Sequence, residues 1–188
     1  MSHKKDAIPK HIMIAAWSIA LAAIAPMLDS TMINIAIKQL NSTFHTSLDV
    51  IQWGVTGYVL ALATTVSLAG WLMNRFNSKR VFIGSVILFG VISLLVGLSW
   101  NAGSFIFFRI IQGSSAGVIT TLMSTLLVKV AGREHIGKVM AIVSTPMIIG
   151  PIFGPVLGGF IIHYLSWQYI FYLNIVITII ITPMMLKV

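Results

Sequence analysis

Six predominantly apolar stretches follow one another along this chain: roughly Ile12 to Ile37, Val50 to Met73, Val81 to Ser99, Ser104 to Val128, Val139 to His163, and Trp167 to Leu186. About 20 such residues, each rising ~1.5 Å along a helix, cross the ~30 Å hydrocarbon layer of a bilayer. Lipid offers no hydrogen-bond partners, so a spanning segment must satisfy its backbone internally, and unbroken runs of this length predict helices. The expectation is an all-α membrane protein, one bundle over residues 1–188 with six transmembrane helices and no room for a soluble domain. Only 9% of residues are charged, against about 25% in soluble domains, and the mean hydropathy is +0.97. The basic start, MSHKKDAIPKH, precedes an apolar run longer than a signal peptide's, with Asp29 where a small-residue cleavage site would be needed. It therefore reads as an uncleaved first helix.

The net charge of +8 and the basic pI would raise the question of nucleic acid in a soluble chain. Here the cations sort by side. Lys4, Lys5 and Lys10, then Arg75, Lys79 and Arg80, then Lys129, Arg133 and Lys138, and finally Lys187 share one face, while only Lys38 falls on the other. The positive-inside rule then places both termini in the cytoplasm, and no nucleic-acid partner is needed to explain the charge. Cysteine is absent, which excludes disulfides, thiolate metal sites and cysteine nucleophiles. No metal site is expected. Trp100, Tyr164, Trp167, Tyr169 and Tyr172 cluster near the outer boundary, where aromatic rings favour the interface, and they read as an aromatic belt.

Two ionisable residues lie inside spans, Asp29 in the first and Arg109 in the fourth. Each costs about 2.5–3.5 kcal/mol at a helix centre on insertion scales, so each is a functional-site candidate by default. At ~1.5 Å per residue, Asp29 lies about 12 Å and Arg109 about 8 Å below the outer ends of their helices. They lie at similar depth, and if their helices pack together they can pair. A carboxylate beside an arginine holds a proton weakly, and one desolvated away from it holds a proton tightly. A change of distance would then load and release a proton; the plainer alternative is a permanent pair that holds two helices in register.

Gln112 follows one turn after Arg109, and Gly113 with Gly117 forms a small-xxx-small face that admits a close neighbour. The letters Gly113-Ser114-Ser115-Ala116-Gly117 also match G-x-S-x-G, but that elbow needs a strand–turn–helix context. An enzyme is not expected. The fifth span contains "GPIFGPVLGG". Gly150, Gly154 and Gly158 recur every fourth residue on one helix face, with Pro151 and Pro155 beside them and Gly159 closing the run. Prolines 146, 151 and 155 each withdraw an N–H from a carbonyl one turn back, which calls for replacement partners in the interior or beside a cavity. This is a face built to pack closely and to deform at a fixed place.

Taken together these residues resemble the major facilitator superfamily. "GPIFGPVLGG" is similar to its motif C, found in proton-coupled antiporters, and "FRIIQGSSAG" to its motif B, with Arg109, Gln112 and Gly113 in the motif positions. "LDSTMINIAI" (Leu28 to Ile37), "QWGVTGYVLA" (Gln52 to Ala61) and "SWQYIFYLN" (Ser166 to Asn174) resemble helices 1, 2 and 6 of the fourteen-helix drug/proton antiporter branch, the EmrB/QacA type. "GWLMNRFNSKRVFIG" resembles motif A: Gly70, Arg75, Lys79 and Arg80 remain, while Asn74 replaces the usual acid and Asn77 the usual glycine.

The resemblance implies one half of the family fold, a three-plus-three inverted repeat, in a bacterial plasma membrane. It further implies efflux of small lipophilic or cationic drugs in exchange for protons, with the proton motive force as the energy source and no cofactor. Asp29, Arg109 and Gln112 would couple proton and substrate, and Asn34, Trp53 and Tyr58 are candidates to line a substrate cavity. The family pattern needs twelve or fourteen helices, so a C-terminal half of six or eight is the expected partner. Two other readings stay open: a non-transporting half that acts by interaction, and a transporter of one defined small solute.

Overall fold

The computed structural model describes residues 8–187, apart from the side chains of Pro146 and Ile149. Lys4 and Lys5, and the side chain of Pro146, lie outside the described residues. Among the described residues the chain is helical: α1 (Lys10–Phe44), α2 (Leu48–Arg75), α3 (Ser78–Gly97), α4 (Ala102–Tyr164) and α5 (Gln168–Lys187). Each is long and apolar enough to cross a membrane.

The 63-residue α4 is two helical arms that meet at Gly132, where φ is 64° and ψ 176°. The fourth and fifth apolar stretches lie on either side of it. The segment 129–138, expected as a linker because it carries Lys129, Arg133 and Lys138, is helical apart from that one residue. Lys, Arg and Glu are good helix formers, so the backbone need not uncoil where hydropathy falls. For the same reason α1 continues past Ile37 through Lys38 and Gln39 to Phe44. Short connections are held by caps. Asn77 accepts from the backbone N–H groups of Lys79 and Arg80 at 3.0 and 3.3 Å, and Asn101 forms a capping box with Ser104.

Glycines set the register of the bundle. Gly54 meets Phe105, Gly57 meets Ile110, Gly113 meets the Tyr58 backbone and Gly117 that of Leu62. Residue numbers rise together, so α2 and the first arm of α4 run parallel. In the same way Gly154 meets Thr31 and Leu28, and Gly158 meets Met32, so the second arm runs parallel to α1. Gly90 against Thr178 and Gly97 against Tyr172 run in opposite senses, which makes α3 and α5 antiparallel.

The core is divided. One apolar cluster gathers Ala16 to Ala25, Phe82, Phe89, Leu122, Val139 and Ile181. The other gathers Met32, Ile33, Leu40, Val96, Phe105, Trp167 and Phe171. Trp167 is 2% exposed and its ring packs edge-on to Phe105 and Phe171. It thus belongs to the core rather than to the expected aromatic belt, because the start of α5 turns it inward. Trp100, Tyr164 and Tyr169 are exposed.

Candidate functional site

Between the two apolar clusters lies a layer of buried polar side chains, in register on four helices. Asp29 of α1, Ser93 of α3, Arg109 and Gln112 of α4, and Asn174 of α5 are each 0% exposed. A charge at such depth persists only when it is paired and its remaining groups are hydrogen-bonded.

Arg109 is the hub. Its Nη1 donates to Asp29 Oδ2 in a short ion pair and to Gln112 Oε1 at 2.7 Å. Its Nε donates to the backbone carbonyl of Gly54 at 3.3 Å, and its Nη2 has no hydrogen-bond partner. The guanidinium carbon stands 4.1 Å from the centre of the Tyr58 ring and 5.7 Å from that of Phe171. Those ring faces attract a desolvated cation. Gly54 has a specific reason to lack a side chain, since a methyl there would strike the Phe105 ring.

The remaining contacts are made by neutral groups. Gln112 Nε2 donates to Ser93 Oγ at 2.7 Å, and that hydroxyl donates to the Phe89 carbonyl at 2.7 Å. Asn174 Nδ2 donates to Asp29 Oδ1 at 2.8 Å. The Tyr58 hydroxyl donates to the carbonyl of Pro26 at 3.4 Å. One acid and one base are thus embedded in amides, hydroxyls and aromatic faces from α1, α2, α3, the first arm of α4, and α5.

The structure pairs Asp29 with Arg109 and adds Gln112 to the pair. Ser93 and Asn174 were not singled out from sequence. Counting the guanidinium's five N–H donors and the carboxylate's lone pairs against the polar residues at that depth would have pointed to both.

Asn34, Trp53 and Tyr58 occupy different surroundings. Tyr58 is buried over Arg109. Trp53 is 58% exposed and lines a shallow cleft with Asp49, Gln52 and Thr56. Asn34 is exposed, with its amide on the Ser30 carbonyl at 3.2 Å. In "GPIFGPVLGG" the three glycines at 150, 154 and 158 are buried, whereas Pro151 and Pro155 are exposed and the helix runs unbroken through both. The ~100° turn per residue carries Pro151 and Pro155 off the packed face, so of the two expected settings, the interior or the side of a cavity, they do not take the first within this chain, while Gly150, Phe153 and Leu157 of the same segment line a groove. Gly159 has open space where a side chain would start.

At the α2–α3 junction Gly70 likewise borders open space, and Asn74, Arg75, Lys79 and Arg80 are exposed. Arg75 lies over the Trp71 ring at 5.9 Å. Ser115 Oγ donates to the Gln112 carbonyl of its own helix at 2.7 Å; it sits mid-helix, without the strand and turn an elbow requires.

A bundle of long apolar helices around a buried ion pair is an arrangement that membrane transporters use. Residues 19–188 match the Major Facilitator Superfamily, and the chain belongs to that family.

Its relatives sharpen the placement. It is 36% identical over 170 residues to a Mycobacterium tuberculosis protein called multidrug resistance protein B homolog, covering 90% of this chain and 32% of that protein. It is 32% identical over 187 residues to the Escherichia coli multidrug export protein EmrB, covering 100% of this chain and 36% of that one. The chain spans about a third of the length of these relatives. Among solved structures it superposes on a D-xylose–proton symporter with a TM-score of 0.81 at 18% identity, over 95% of this chain and 48% of that one. A bacterial homolog of the lysosomal transporter Spinster gives 0.73 at 15% identity, over 93% and 43%. These two likenesses establish the fold alone.

Proposed function

We propose that this chain is the N-terminal six-span half of a proton-coupled multidrug antiporter of a bacterial plasma membrane, with Asp29 as the proton site. The observation that carries this reading is the buried Asp29–Arg109 pair, held by neutral groups from several helices. Such a pair is costly to bury, and an ionisable group in a membrane span marks an ion or substrate path by default. The drug specificity is carried over from the relatives' names.

In this reading the two arms of α4 count as two crossings, six in all, and the positive-inside rule puts both termini in the cytoplasm beside the cationic segments. The helix pairing supports an inverted repeat. Exchanging the first three spans with the last three maps the parallel pair of α1 and the second arm onto the parallel pair of the first arm and α2, and maps α3–α5 onto itself.

In the proposed cycle a proton enters Asp29 from outside and loosens its hold on Arg109. The bundle then rocks against a C-terminal half about the midplane, with the glycine face of the second arm as the surface that yields. Inward proton movement down a potential supplies ~2.3 kcal/mol per 100 mV per charge, enough to drive a modest gradient of a lipophilic or cationic drug. Arg75, Lys79 and Arg80 hold the α2–α3 junction on the inner side.

The test is ethidium efflux from loaded vesicles under a pH gradient, with this chain supplied together with a C-terminal half and also alone. Asp29→Asn should abolish proton-driven efflux while leaving membrane insertion intact. Efflux that continues at the original rate would overturn the proton-site assignment. Full efflux by the chain alone would overturn the half-transporter reading.

A further inference from the structure

The carboxylate of Asp29 has two hydrogen-bonding neighbours of different capability. Arg109 offers only N–H donors and is effectively always charged. Asn174 offers an amide, whose nitrogen donates and whose oxygen accepts. The nitrogen is engaged with Asp29 Oδ1 at 2.8 Å. The oxygen, in a side chain that is 0% exposed, has no hydrogen-bond partner. Buried acceptors are seldom left unused, and this one belongs to a group already in contact with the acid.

We propose that Asn174 is the positioning residue that serves Asp29 in both of its protonation states. It donates to the ionised carboxylate and, after a half-turn of its amide, accepts from the carboxylic acid through its unpartnered Oδ1. This inference rests on the reading of Asp29 as the proton site. When a proton from the aqueous phase adds to Asp29 Oδ1, one O–H bond forms and the side chain goes from −1 to neutral. The Nδ2–H···Oδ1 hydrogen bond is lost, and an O–H···Oδ1 bond to Asn174 replaces it. The half-turn breaks no other bond of the Asn174 oxygen.

Other neighbours are unsuited to this role. Arg109 has no acceptor. The Gln112 oxygen already takes Arg109 Nη1, and its nitrogen is committed to Ser93. Among the described residues the charged or titratable groups facing Asp29 are Arg109 from the first arm of α4 and Tyr58 from α2, whose hydroxyl is engaged with Pro26. The second arm faces α1 at this level with Gly154 and Gly158; α3 contributes the neutral Ser93 by way of Gln112, and α5 the neutral Asn174. Proton uptake on α1 is thereby registered on α5.

Infrared difference spectra of the chain in lipid, taken across a pH series, test this without requiring transport. A carboxylic C=O band that disappears in Asp29→Asn reports the protonated acid. In Asn174→Leu and in Asn174→Ala, which adds no bulk, that band should move to higher wavenumber because the O–H has lost its acceptor. Asn174→Ser, which keeps one group able to accept, should hold it near the wild-type position. In unmutated chain with ¹³C-labelled asparagine, an amide carbonyl band should shift to lower wavenumber in step with protonation, and only when Asp29 is present. An acid band unmoved in Asn174→Ala, with the labelled amide band constant, overturns the proposal and leaves Asp29 as the proton site. Absence of any band sensitive to Asp29→Asn overturns both.

Discussion

The two arms of α4 carry glycines at the same four-residue spacing, yet they meet their neighbours differently. In the first arm Gly113 and Gly117 face the backbone of α2; a methyl on Gly113 would run into the Tyr58 carbonyl, and one on Gly117 would stand 2.5 Å from that of Leu62. In the second arm a methyl on Gly154 would run into the Thr31 hydroxyl and stand 2.9 Å from its Cβ, one on Gly158 would stand 3.2 Å from the Met32 Cα and Cβ, and one on Gly150 has 4.0 Å to the nearest atom of Ile24. The second contact opens toward a groove of about 350 Å³ lined by residues including Trp17, Ile24, Leu28, Gly150 and Phe153. The first arm is locked backbone to backbone beside the charged layer. The second meets the Thr31 side chain and, at Gly158, the Met32 backbone and side chain at 3.2–3.3 Å, and it loosens toward Gly150. Spacing alone does not distinguish a fixed seam from a yielding one; the atoms opposite do.

The largest effect should come from the layer that the first arm holds. Arg109→Leu leaves the Asp29 carboxylate buried without its cation, and breaking such a pair costs about 3–5 kcal/mol. Reversible denaturant unfolding followed by helical circular dichroism measures it. A loss below ~1 kcal/mol would show that the layer does not hold the bundle.

The seam itself comes next. Gly113→Ala should cost about 1–3 kcal/mol by overpacking, with no side-chain substitution able to relieve a clash against a carbonyl. Gly154→Ala should cost less, and Thr31→Ala should recover part of that cost in a double-mutant cycle. Equal costs, or a cycle without coupling, would erase the distinction between the arms.

At the open end Gly150→Ala should change stability by no more than about 0.5 kcal/mol. The better helix propensity of alanine there offsets any small shift of Ile24. A loss as large as that of Gly113→Ala would mean that the second arm is packed more tightly than its geometry indicates.

Much of this was legible in the sequence because lipid removes alternatives. Long apolar runs can only be helices there, and Asp29 and Arg109 could be placed at similar depth from the rise per residue. The glycine faces were legible because four residues nearly complete a turn. What escaped has a common cause. Ser93 and Asn174 carry no charge, so neither stood out as Asp29 did, and their roles depend on which helices are neighbours. The direction of Trp167 depends on the angle at which α5 enters, and the exposure of Pro151 and Pro155 on which face meets α1. Asn77 departs from the motif A glycine, yet its side chain caps α3, a role that could have been suggested from its place before a helix.

Gly132 bears on the parity of the chain. Its φ and ψ fall in a region that is essentially closed to any residue with a Cβ, although nothing stands within 4 Å of where a side chain would begin. The constraint is therefore local backbone geometry and owes nothing to packing. A straight helix of 63 residues would extend about 95 Å, roughly three bilayer cores, and would count as one crossing instead of two. The number of passages would become odd, and the cationic ends of the chain would face opposite compartments. In the proposed topology, one residue that only glycine can comfortably be keeps both ends on the same side of the membrane.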